Sequence, residues 1–127
     1  MLIGERILPL HLATSSHWKV HYFTANMASD VTLRQEEARF LDDMPGVLGP
    51  VAMAAIGAIQ SALGLDYAGV DFALAADGRL VVFEANATMT IVTPPDDPIW
   101  DYRRPAIQRA IGAVQALISG QAARSWQ

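Results

Sequence analysis

Cysteine is absent from the 127-residue chain, which removes disulfides, thiol nucleophiles and thiolate metal sites together. Basic residues are scarce: nine Lys and Arg against thirteen Asp and Glu give a formal net charge of −4 and a pI near 5.1. That balance argues against nucleic acid or an anionic membrane surface as a partner. The opening Met1-Leu2-Ile3-Gly4-Glu5-Arg6 lacks the basic start and long apolar run of a signal peptide, so the expected location is cytoplasmic. Residues 47–65 are the most apolar run and about long enough to span a bilayer, but they hold Pro50, Gln60 and three glycines. Small residues at that density suit a buried helix, and no membrane association is expected. No internal repeat or low-complexity tract is present.

What is there suits one folded domain. The chain is 52% hydrophobic and 17% charged, and a chain of this length buries about two thirds of the surface it exposes unfolded. The expected class is α+β, a mainly antiparallel sheet with helices packed on one face, over residues 1–120 with a frayed tail at 121–127.

Residues 71–86 carry the densest chemistry. Asp77-Gly78 is a strong hairpin signal between two β-rich runs. Asp71 lies six residues before Asp77 and Glu84 six after Gly78, so the two carboxylates should face each other across the ladder. Asn86, two residues on, shares the face of Glu84. Two carboxylates and a carboxamide converging on one patch suit a hard cation such as magnesium, which takes oxygen ligands and keeps several waters. Spacing alone equally allows solvated polar positions on a half-exposed sheet.

The remaining elements follow in order. Residues 1–13 read as a hairpin turning at Gly4-Glu5, with Leu8, Leu10 and Leu12 on one face and Pro9 requiring that its strand lie at an edge or turn the proline outward. A chain that starts inside a hairpin reads as one cut from a longer fold. Residues 17–23 read as a strand with His17, Lys19 and His21 on one side and Trp18, Val20 and Tyr22 on the other. Lys19 beside two imidazoles suits an anionic substrate or phosphate. A zinc site is disfavoured, because no paired His, Asp or Glu at ligand spacing accompanies these histidines.

A helix is expected over 32–43, with Thr32 as N-cap and Gln35 completing a capping box. Leu33, Glu37, Phe40, Leu41 and Met44 recur at helical spacing, yet Glu36 and Glu37 are assigned to the solvated side and given no chemistry. Pro45-Gly46 should stop this helix. A second begins at Pro50, buries Met53, Ile56, Ile59 and Leu63 across the 71–86 hairpin, and ends at Gly64. Residues 94–98 form a proline-rich loop beside the proposed site. A last helix is expected over 105–119, ended by Gly120.

The stretch Leu63-Gly64-Leu65-Asp66-Tyr67-Ala68-Gly69-Val70-Asp71-Phe72, followed by Asp77-Gly78-Arg79-Leu80 and Phe83-Glu84-Ala85-Asn86, resembles the C-terminal lobe of ATP-grasp enzymes. These include D-alanine-D-alanine ligase, glutathione synthetase and the ligase that adds glutamate to a ribosomal protein. From residue 11 through the run 40–44 the chain is also similar to bacterial ATP-grasp proteins of uncharacterised function, some joined to tetratricopeptide repeats.

The resemblance implies a carboxylate-amine ligase working through an acyl-phosphate, with ATP and magnesium as cofactors and small-molecule or peptide carboxylates and amines as substrates. It implies that Asp71, Glu84 and Asn86 hold the metal, and that Lys19 and His21 contact the transferred phosphate. Two positions depart from the family. Ala87-Thr88-Met89-Thr90 stands where the ligases continue with a small residue, Pro and Gly, and Gly69 stands where the D-alanine ligases carry arginine. The adenine-gripping lobe of the family is expected before Met1, so this chain is expected to be inactive alone. Two other readings stand beside the ligase: a non-catalytic binding module that keeps the fold, and a domain that dimerises through its N-terminal edge.

Overall fold

The computed structural model describes residues 1–13 and 27–125 of the chain. The expected strand over 17–23, and with it Lys19 and His21, lies outside the described residues. A four-stranded antiparallel sheet in the order β2-β1-β3-β4 is built from β1 (Leu2–Ile3), β2 (Arg6–Ile7), β3 (Tyr67–Leu74) and β4 (Leu80–Asn86). Three helices accompany it, α1 (Val31–Asp42), α2 (Met44–Leu63) and α3 (Arg104–Ser125), with a 3-10 helix Pro98–Arg103 leading into the last. The α+β class and antiparallel sheet are as expected.

Helices on one face only are not. Leu2 packs with Ile56 of α2 and Ala68, whereas Ile3 packs with Ala110 and Ala113 of α3. Because successive strand residues point to opposite faces, two adjacent residues of β1, both at most 2% exposed, are covered from opposite sides. β1 is therefore an interior strand, and β2 forms the margin among the described residues. The N-terminal hairpin turns at Gly4, with φ of 56°, but its second strand is two residues long and ends before Pro9, which cannot donate to a ladder.

Helix boundaries move for local reasons. α1 begins at Val31 because Asp30 is its N-cap, accepting from the Thr32 and Leu33 amides at 2.8 and 3.3 Å; aspartate outranks threonine in that role. Pro45-Gly46 does not end a helix but opens α2, whose first turn is capped by Asp43 through the Gly46 amide. The backbone then leaves helical geometry at Gly49, with φ 77° and ψ 170°, so Pro50 does stand at the start of a new helical segment. Gly64, in the left-handed region, caps its end.

α2 packs on the sheet through Ile56, Met53 and Leu63 against Ala68, Val70, Phe72 and Leu80. It is not buried as its composition suggests. Val47 and Val51 are exposed, and its most apolar window, of mean hydropathy 1.6, is only 11% buried. By length and composition this helix could cross a membrane, yet it is broken at Gly49. α3 runs past Gly120, which keeps an ordinary φ; one glycine costs a helix only about 1 kcal/mol.

A third cluster, Phe40, Leu41 and Met44 with Ala106, joins α1 to α3. Glu37 lies at its margin and is fully buried, which overturns its assignment to the solvated side. One carboxylate oxygen accepts from the Leu12 amide at 3.2 Å and from Arg103 Nη2 at 3.0 Å. The other accepts from the Tyr102 hydroxyl at 2.5 Å. A buried carboxylate persists only when paired and bonded in this way. Glu37→Ala removes at once the carboxylate that an arginine, a tyrosine hydroxyl and a backbone amide share, so we expect a loss of about 3–5 kcal/mol in urea-unfolding stability. Arg39→Ala, exposed on the same helix, should cost less than about 0.5 kcal/mol.

Candidate metal site on the β3–β4 hairpin

The hairpin that carries the oxygen donors contains two irregularities. Its turn is longer than Asp77-Gly78 alone: the Ala75 amide donates to Arg79 O, the Gly78 amide to Ala75 O, and Gly78 sits at φ 82°. This is a three-residue loop closed by a left-handed glycine, with Asp77 held by the Arg79 amide and guanidinium. The Arg79 guanidinium holds the Asp77 carboxyl below the usual carboxylate range.

From that turn the ladder runs Leu74 opposite Leu80, Ala73 opposite Val81 and Phe72 opposite Val82. Continued unbroken, it would set Asp71 against Phe83. A bulge intervenes, and Asp71 pairs with Glu84, Val70 with Ala85, and Gly69 with Asn86. Phe83 is the extra residue, 70% exposed, and inserting it rotates the rest of β4 by one side-chain position. The expected pairing of Asp71 with Glu84 is thus present, and Asn86 shares their face.

Asp71 and Glu84 are exposed and Asn86 is half-buried. The Asn86 Nδ2 donates to Glu84 Oε1 at 3.0 Å, and its Oδ1 accepts from the Thr88 amide at 3.1 Å. Both bonds require this orientation of the carboxamide, since a flip would set oxygen against carboxylate and NH2 against N–H. Neither acid is in an ion pair among the described residues.

The set fits magnesium in kind: two carboxylates and an amide oxygen, all hard donors, on a face open to water and phosphate. It does not fit a transition-metal cage. Among the described residues no three His, Cys, Asp or Glu cluster to hold a metal. Lys19 and His21, expected to complete the site on the phosphate side, lie outside the described residues.

A residue not singled out in the sequence sits between this hairpin and the Glu37 cluster. His11 is half-buried, and its pKa is pushed below the ordinary imidazole value, first by burial and then by the Arg103 charge, against the opposing pull of Glu37 and Asp71. Its neighbour Leu12 is the residue tied to Glu37. The signal for Glu37 was its place in the apolar stripe of α1; its partners Tyr102 and Arg103, 65 and 66 residues away, leave no local trace.

A lowered imidazole pKa has a definite sign in stability. Between the folded value and about 6.5 the unfolded chain binds the extra proton. Stability should therefore fall as pH drops below about 6.5 and level off once pH passes below the folded value. His11→Gln should flatten that part of the profile in thermal unfolding followed by circular dichroism.

No protein-family model, no curated protein and no solved structure matches this chain.

Proposed function

We propose that this chain is the magnesium-bearing lobe of an ATP-grasp carboxylate-amine ligase. The observation that carries the reading is the bulged register that sets Asp71 against Glu84 and brings Asn86 onto Glu84 at 3.0 Å. The pair survives both irregularities of the hairpin, the three-residue loop and the bulge, so two carboxylates and a carboxamide share one exposed face. Sheets keep such bulges where they re-aim a side chain.

Asp71, Glu84 and Asn86 would hold the magnesium, which would supply charge stabilisation to the transferring phosphoryl group. The chain's own residues supply the rest. Asp71 and Glu84 carry the negative charge, from neighbouring strands whose ladder fixes their separation. Asn86 holds Glu84 by one amide hydrogen and keeps a lone pair on Oδ1 for a ligand. Lys19 and His21 are assigned the transferred phosphate, and carboxylate and amine substrates complete the reaction.

A second reading is a non-catalytic module that pairs with another copy. The observation favouring it is the uncovered apolar surface of α2 and β4, where Val51 and Phe83 are 71% and 70% exposed. A monomeric sedimentation profile at high concentration removes this reading.

The ligase reading predicts that the chain binds Mn2+, a paramagnetic stand-in for magnesium, in a titration followed by electron paramagnetic resonance. Asp71→Asn and Glu84→Gln should each abolish that binding with little change in unfolding temperature, because both side chains are exposed. Wherever ATP turnover is measurable, the same two substitutions should abolish it. Undiminished binding in both variants would remove the metal assignment.

A further inference from the structure

The segment after β4 contains an unbroken series of contacts that starts in the hydrophobic core and ends on the donors. Tyr67, the first residue of β3, has its ring against the cluster of Ile3, Ala110 and Ala113. Its hydroxyl donates to the Met89 carbonyl at 2.6 Å. The Met89 side chain lies over Gly69, where a methyl group on the glycine would overlap its Cγ. Gly69 is the residue facing Asn86 across the ladder. From there the Thr88 amide holds Asn86 Oδ1, and Asn86 Nδ2 holds Glu84.

We propose that Tyr67 and Met89 are positioning residues for the Asn86–Glu84 donor pair, with Gly69 as the seat that admits the Met89 side chain. The consequence for metal rests on the magnesium reading above; the orientation of Asn86 does not. Residues 87–91 have no regular secondary structure, and an exposed segment of that kind samples many conformations. Two attachments remove that freedom on either side of Thr88: the ladder at Asn86, and the Tyr67–Met89–Gly69 lock. With both ends fixed, the Thr88 amide is delivered to Asn86 Oδ1, and the carboxamide is left one orientation. Losing a group that orients a metal ligand typically lowers metal affinity by about ten- to a hundredfold.

The lock also accounts for the two departures from the ligase pattern. An arginine at position 69 could not coexist with Met89 in this seat. A Pro-Gly pair after Asn86 would give the segment stiffness from its own backbone, whereas here stiffness comes from Met89 and the strand beneath it. Gly69 and Met89 are therefore one feature.

Three variants separate the lock from general stability. Tyr67→Phe removes the hydroxyl and keeps the ring in its core. Gly69→Ala displaces Met89 from below. Gly69→Ala with Met89→Ala restores room and lets a methyl group fill the seat. The metal-free chain is read by exchange of the Asn86 side-chain amide protons in NMR spectra, and the metal by Mn2+ titration.

Faster amide exchange is expected in both single variants, with Mn2+ affinity lowered about tenfold and recovered in the double variant. A merely structural role would shift unfolding temperature without touching the Asn86 amide. Unchanged Asn86 exchange in Tyr67→Phe and Gly69→Ala overturns the proposal. A wild-type chain with a slowly exchanging Asn86 amide that binds no Mn2+ overturns the metal reading and leaves the positioning role standing.

Discussion

The buried carboxylate of Glu37 constrains the fold more than any other single group. An ion in a dry interior is tolerated only when its charge and lone pairs are met, and Glu37 meets them with three groups from two distant parts of the chain: the Leu12 amide, and the Tyr102 hydroxyl and Arg103 guanidinium of the 3-10 helix. Those bonds fix α1, the 3-10 helix ahead of α3, and the segment that leaves the N-terminal hairpin in one arrangement. Arg109 adds a second tie by donating to Leu41 O at the end of α1. Trp100 stacks against the Arg103 guanidinium at 5.7 Å, covering a cation that water would otherwise compete for. Apolar contacts are non-directional, whereas the bonds to this carboxylate also fix orientation.

The sheet obeys a different constraint, set by β1. With Leu2 packed on α2 and Ile3 on α3, this two-residue strand touches both helical layers. The β3–β4 hairpin then projects beyond them, so its far end has little cover. Exposure of Val81, Val82 and Phe83 follows from that geometry. The donors sit nearer the base of the hairpin: the Gly69–Asn86 and Asp71–Glu84 pairs follow directly on the pairing of Ala68 with Leu2, and Phe83 separates them from the exposed turn end.

Much of this was readable from the letters where a local rule decides. Asp77-Gly78 marks a turn, Pro50 a helix start, Gly64 a helix end, and alternation places Asn86 with Glu84; each is a statement about a few adjacent residues. A count that assumes a two-residue turn and a regular ladder gives the pairing of Asp71 with Glu84. In the structure a longer loop shifts the register by one residue and the bulge at Phe83 shifts it back. Two departures of opposite sign cancel, and no pattern of hydrophobicity marks either. Glu37 failed for the opposite reason. Its helical position pointed inward, but average residue chemistry argued for water, and only a partner 66 residues away decides between them.

The cancellation bears on why the donors sit on a hairpin at all. A regular two-residue hairpin would give the same Asp71–Glu84 pair with no bulge, but would leave β4 straight. A bulge adds local twist and bends its strand, and here it falls between Val82 and Glu84, immediately before the donor residues. The outer part of β4 and its exposed Phe83 are thereby turned relative to the stretch that carries Glu84 and Asn86. The longer loop compensates in register without undoing the bend. The pair therefore keeps the alignment of a regular ladder while the strand that carries half of it has a changed direction.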